Sequence, residues 1–151
     1  MGGVMLLRDS GIDEWHAFGG EVLPEVAQEW RDDGKRTRVI HQAELLPAQL
    51  AIEVWAQAVT GRRVILFVDN DAARAALVKG TTKVRPSARI VSKFWEAAAS
   101  HEVYAWIDRV PSASNVADGP SRGCFEWLVK KGYTRAEVPG LRRHPKEKGD
   151  V

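Results

Sequence analysis

Three carboxylates stand where chemistry is possible. Glu44 lies one turn before Ala48, on the apolar stripe of a helical segment, where an acid is costly without a partner. Asp69 ends the most hydrophobic run of the chain, RVILFVD over residues 63–69, at the carboxyl edge where α/β proteins place ligands. Asp118 follows a loop of small residues, within Asn115-Val116-Ala117-Asp118-Gly119-Pro120-Ser121-Arg122. Carboxylates gathered in a partly dry site repel one another, which raises their pKa values unless a cation is bound. A ligand set of oxygens alone suits Mg²⁺, which keeps several waters and binds substrate phosphate. Each acid also has a purely structural explanation. Glu44 is then a first-turn acid favoured by the helix dipole, Asp69 or Asn70 a helix cap, and Asp118 a turn residue. Their joint occurrence in a compatible order of elements is what favours a common chemical role.

The elements that must position these acids follow from periodicity. Residues 2–7 read as a short apolar strand, turning at Arg8-Asp9-Ser10-Gly11 into a second strand over 14–22, a β-hairpin. Residues 24–30 suit a short helix stopped at Asp33-Gly34, and residues 37–40 are β-prone. From Gln42 to Val59 the apolar positions Leu45, Ala48, Ile52, Trp55 and Val59 recur at helical spacing, and Gly61 ends the run. Pro47 is tolerable there only within a first turn. The 63–69 run has the look of a strand buried on both faces. A helix over 70–78 follows, with Ala72, Ala73, Ala76 and Leu77 inward. Another spans 86–101, with Pro86 suited to its start and Ile90, Val91, Phe94, Trp95 and Ala98 on one side. Residues 103–110 form a strand, and a last helical stretch covers 124–131. Hairpin, then helix, strand, two helices and strand, implies an α/β fold whose sheet has mixed direction.

Gln42-Ala43-Glu44-Leu45-Leu46, then Leu66-Phe67-Val68-Asp69-Asn70, then Arg109-Val110-Pro111 with the Asn115–Arg122 segment, resembles the ribonuclease H domain of retroelement reverse transcriptases. The match covers roughly residues 2–123. In that family the helix glutamate, the strand-end aspartate and the aspartate of the N-x-A-D-x-x-S-R segment bind metal, and here they correspond to Glu44, Asp69 and Asp118. The resemblance implies a ribonuclease H-like mixed sheet, antiparallel hairpin plus parallel strands, flanked by helices. It also implies two Mg²⁺ or Mn²⁺ ions about 4 Å apart, hydrolysing the RNA strand of an RNA–DNA hybrid. Fusion to, or descent from, a reverse-transcriptase polyprotein is part of the same expectation. The chain departs from the family pattern in two places. The family's first acid sits on a central strand just before the one that residues 2–7 resemble, and these residues hold no counterpart, Asp9 and Asp13 falling in the hairpin turn. The loop before Asp118 has no histidine. The domain is therefore expected over residues 1–132, N-terminally incomplete, with a basic, flexible tail over 133–151.

Nucleic-acid contacts are expected from Gln42 and Asn70, placed to touch the minor groove of a hybrid, where shape and 2′-hydroxyls are read. Lys79, Lys83, Arg85 and Arg89 are placed to hold phosphates. Trp95 and Trp106 lie on apolar faces and are expected in the core. A catalytically silent binding module of the same fold is the alternative. A phosphoacceptor receiver domain, with Asp108 as acceptor, is a remote one, because too little chain follows Asp108 for the remaining βα units.

Composition bounds these readings. The 151 residues fit one domain, with 44% hydrophobic and 28% charged residues. A net charge of +2 excludes binding nucleic acid by charge alone. Its distribution is uneven: residues 1–34 hold two basic and eight acidic residues, residues 61–93 eight basic and two acidic. The middle of the chain can thus present a basic surface. The single cysteine, Cys124, excludes an intrachain disulfide and fits a reducing compartment. No apolar run is long enough to span a bilayer, and MGGVMLLRDS lacks the basic start of a signal peptide. A soluble intracellular protein is expected.

Overall fold

The structure is a computed structural model that describes residues 1–33, 39–145 and 147. In chain order the elements are β1 (Gly2–Asp9), β2 (Ile12–Gly19), β3 (Glu21–Val22), α1 (Pro24–Asp33), α2 (Ile40–Val54), α3 (Ala56–Val59), β4 (Arg63–Val68), α4 (Asp71–Lys79), α5 (Arg85–Ser100), β5 (Tyr104–Arg109), α6 (Asp118–Ser121), α7 (Glu126–Val129), β6 (Tyr133–Arg135) and β7 (Leu141–Arg142). They fall into two compact units, one made of Met1–Leu23 with Val116–Val151, the other of Pro24–Asn115. The class is mixed α/β, with antiparallel and parallel pairing as expected. The strands divide into three small sheets, however, ordered β1-β2-β6, β3-β7 and β4-β5.

In the terminal unit β1 and β2 pair antiparallel along their full length, from Gly2↔Gly19 to Asp9↔Ile12. Ser10 and Gly11 both take positive φ at the turn, as a type I′ hairpin requires. The second strand stops at Gly19, and residues 21–22 form a separate pair with β7. Along its other edge β2 runs parallel to β6. Ala17, Phe125 and Leu128 make the core here, with Val4, Trp15, Trp127 and Tyr133 packed against it. Trp15 and Trp127 meet edge to face at 5.4 Å, Phe125 and Tyr133 stack at 5.7 Å, and the Arg135 guanidinium lies 4.3 Å from the Phe125 ring centre. Arg135 also pairs with Glu147, both largely buried, and donates to the Gly19 carbonyl at 3.1 Å. These contacts correct two expectations. The domain does not end at residue 132, and the described part of 133–151 is not a loose tail. Its aromatic, arginine and glutamate side chains complete the hairpin's core, a role its basic composition concealed. Lys146 and residues 148–151 lie outside the described residues.

In the central unit β4 and β5 are parallel neighbours, from Arg63↔Tyr104 to Val68↔Arg109, joined by the crossover α4–α5. Leu45 and Ile52 of α2, Ala73, Ala76 and Leu77 of α4, and Ile90, Val91, Phe94 and Ala98 of α5 are buried. The α5 stripe matches the expected one, and Trp95 caps it by donating its indole N–H to the Leu77 carbonyl at 2.9 Å. Ala72, expected inward, is exposed. Asp33 ends α1 as expected; Gly34 lies outside the described residues. So do Thr37 and Arg38 of the β-prone segment, while Ile40 opens α2.

Three expectations about this unit are corrected. The helical run is broken at Trp55, whose φ of −103° and ψ of 19° separate α2 from α3. Pro47 sits well inside α2, because the helix begins at Ile40 and not beside the proline. The missing N–H leaves the Ala43 carbonyl without its usual helical donor. Most consequentially, β4 is not buried on both faces. Its residues alternate, with Arg63, Ile65 and Phe67 exposed and Val68 buried, and Trp106 of β5, expected in the core, is 69% exposed. Among the described residues no helix is long and apolar enough to cross a membrane.

Candidate functional site

The central unit assembles one carboxylate pair. Asp69 follows β4 directly, and the ladder extends one bond past β5, Val110 N–H donating to the Val68 carbonyl at 3.1 Å. That bond carries the segment after β5 alongside the end of β4. A 3₁₀ turn over Ser112–Ser114 then delivers Asn115, whose Nδ2 donates to Asp69 Oδ2 at 2.9 Å. Asn70 takes the other structural duty: its side chain caps α4, accepting from Ala73 N–H at 2.9 Å. Asp71, the next residue, pairs with Arg109 of β5 at 2.9 Å.

Glu44, on α2, lies near enough to Asp69 to be influenced by its charge. It lies on the exposed side of the helix and not on the inward stripe, which comprises Gln42, Leu45, Ala48, Gln49, Leu50 and Ile52. Its pKa is nevertheless raised above the ordinary carboxyl value, first by partial burial and second by the negative charge of Asp69, with His41 pulling the other way. A folded-state pKa above the unfolded one means the folded chain holds more protons between the two values. Stability therefore falls as pH rises from the ordinary 4.5 through the folded pKa. Glu44→Gln, which removes the charge and keeps the shape, is expected to raise the metal-free melting temperature at pH 7. The gain should vanish below the ordinary carboxyl value. Differential scanning calorimetry across that range measures both.

Asp118 belongs to the terminal unit, where it opens α6. Its Oδ1 accepts from Arg122 Nε at 3.1 Å and Nη2 at 3.0 Å, an exposed pair spaced one turn apart, and its carbonyl accepts from the Ser121 hydroxyl at 2.8 Å. Glu44 and Asp69 thus interact within one unit, and Asp118 has a local cationic partner in the other. Among the described residues no group of three or more His, Cys, Asp or Glu is arranged to hold a metal ion.

The expected nucleic-acid contacts divide. Lys79, Lys83, Arg85 and Arg89 are all exposed, spread from the end of α4 through the connection into the first turns of α5. Asn70 is half-buried and committed to its cap. Gln42 is fully buried, which corrects its placement at a groove. Its Nε2 donates to Ser87 Oγ at 2.9 Å, while Ser87 Oγ lies 2.8 Å from His41 Nδ1. This buried polar cluster ties α2 to α5. Among the described residues the Gln42 Oε1 atom has no hydrogen-bond partner. Sequence reading missed this cluster and the role of Asn115. The amide's position inside the Asp118 segment was a usable signal, since an Asn near a catalytic-type acid is a ready donor to a second one.

Fold and site together define a mixed α/β protein with Asp69 at the carboxyl end of a parallel strand pair and Glu44, on α2, within range of its charge. No protein-family model, curated protein or solved structure matches the chain.

Proposed function

We propose that the chain is a ribonuclease H-like domain that hydrolyses the RNA strand of RNA–DNA hybrids with divalent metal, as part of a reverse-transcriptase polyprotein. The observation that carries the reading is the Glu44–Asp69 pair, in which the charge of Asp69 helps raise the Glu44 pKa and Asn115 donates to the Asp69 carboxylate. The donor set is all oxygen and its charges are mutually unfavourable, so it fits Mg²⁺ or Mn²⁺. Such a cation would supply charge neutralisation at the phosphodiester and lower the pKa of a bound water. Glu44 and Asp69 would hold it, with the Asn115 amide orienting Asp69. The resemblance alone assigns Asp118 a place in the set, and a second ion with it. Lys79, Lys83, Arg85 and Arg89 offer exposed charge for phosphates, consistent with the basic middle of the chain.

The Asp118–Arg122 pair favours a second reading, a catalytically silent binding module of the same fold. A cleavage assay on a hybrid with labelled RNA, in Mg²⁺ or Mn²⁺, separates the two. It should be run on this chain and on a version extended by an N-terminal apolar strand carrying one aspartate. Cutting of the RNA strand alone, by either form, supports the nuclease. Hybrid binding without cutting by both forms supports the silent module.

A further inference from the structure

One face of the β4–β5 pair is apolar and open to solvent. Ile65 and Phe67 on β4 are 62% and 58% exposed, and Tyr104 and Trp106 on β5 are each 69% exposed. Alternation puts them on the same side as Arg63 and Asp108, because the register pairs Arg63 with Tyr104, Ile65 with Trp106 and Phe67 with Asp108. The face is therefore a patch with a cation at one corner and an anion at the diagonally opposite corner, both exposed. Lone exposed hydrophobics need no explanation, but four contiguous ones, three of them aromatic, do.

We infer that this face binds a second copy of the chain, forming a two-fold symmetric dimer. Two features of the patch choose that occupant. The first is charge. A two-fold axis through the centre of the patch sets each Arg63 against the partner copy's Asp108, and the apolar side chains meet between them. The patch is complementary to itself. The second is area. The three aromatics and Ile65 leave roughly 500 Å² accessible. With Arg63, Asp108 and the strand edges, the patch approaches the about 800 Å² per partner of a standard specific interface. The geometry is permissive too. Four residues of strand rise, about 13 Å, far exceed one strand spacing of about 4.8 Å. The in-plane axis that superimposes those corners therefore runs nearly across the strands, about 70° from them, and the strands of the two copies cross at roughly 40°, close to the angle of sheets packed face to face. A nucleic-acid platform would surround such aromatics with cations, whereas this face balances its single arginine with an aspartate.

Sedimentation velocity on the full chain over a dilution series tests the inference. The expected result is a reversible dimer whose dissociation constant rises at least about tenfold in Trp106→Ser, with an unchanged circular dichroism spectrum. Arg63→Asp and Asp108→Arg should each weaken association, and the double variant should restore it. A monomer at every concentration overturns the inference. So does a dimer indifferent to Trp106→Ser and to the charge reversals, which would place the interface elsewhere. So would a monomer whose tryptophan fluorescence is quenched by a single-stranded oligonucleotide only when Trp106 is present, since that assigns the face to nucleic acid.

Discussion

Asp69→Asn will reduce hybrid cleavage to background, a loss of at least about 10²-fold. A metal ion contributes several kcal/mol to stabilising the charge that develops on a phosphodiester, and each 1.36 kcal/mol is about tenfold in rate. Asp69 sits where β4 ends, half-buried, with one oxygen already accepting from Asn115 at 2.9 Å. Asparagine keeps the size and retains an oxygen for that bond, so the fold and the binding of hybrid should be unaffected. What it removes is the negative charge that, in the proposed site, would hold a cation beside Glu44. Single-turnover cleavage and hybrid binding, measured on the same preparation, distinguish the loss of chemistry from the loss of substrate. Asn115→Ala should lie between the two, weakening metal binding by about 10–100-fold, as expected for a residue that orients a ligand rather than being one.

The largest effect on stability is expected at Gly19, the last residue of β2. A Cβ built there would stand 2.1 Å from the Pro120 carbonyl oxygen, 2.7 Å from its carbon and 3.0 Å from the Phe125 ring. Two of those atoms are backbone, so no flexible side chain can step aside; α6 would have to move off the hairpin. Alanine in a strand ordinarily gains about 0.5–1 kcal/mol over glycine through reduced unfolded-state entropy. The clash reverses the sign, and Gly19→Ala should cost about 3 kcal/mol or more, a large share of the 5–15 kcal/mol of a typical domain. Gly11→Ala serves as the comparison. Nothing lies within 4 Å of its Cβ, but its φ of +82° strains an L-residue, at about 1 kcal/mol. Urea unfolding of the two variants should rank them in that order.

These two sites also mark what was readable from residue types alone. Asp69 was readable because a long apolar run ending in an acid states both its strand and its strand end. The hairpin was readable from Ser10-Gly11, and the α5 stripe from its 3.6-residue spacing. Gly19 was not, since the closeness of Pro120 is a contact between segments a hundred residues apart in the chain. The same reason hid β6 and β7: three- and two-residue strands carry no periodicity, and Arg135 looks like tail charge until Phe125 and Glu147 are beside it. The continuous apolar run in β4 was misread because hydrophobicity on both faces implies two covering layers, and here one face is bare. Gln42 misled in the opposite way, an amide that looks like a surface reader but is consumed by Ser87 in the core.

The claim at the centre of this account is that Glu44 and Asp69 together hold a divalent cation. Electron paramagnetic resonance titration of Mn²⁺ into the full chain measures it directly, because bound and free Mn²⁺ have different spectra. The expected result is saturable Mn²⁺ binding that Mg²⁺ displaces and that both Asp69→Asn and Glu44→Gln abolish. Glu44→Gln should do so while remaining at least as stable as the parent chain in the absence of metal. No saturable binding, or binding that survives both substitutions, would contradict it.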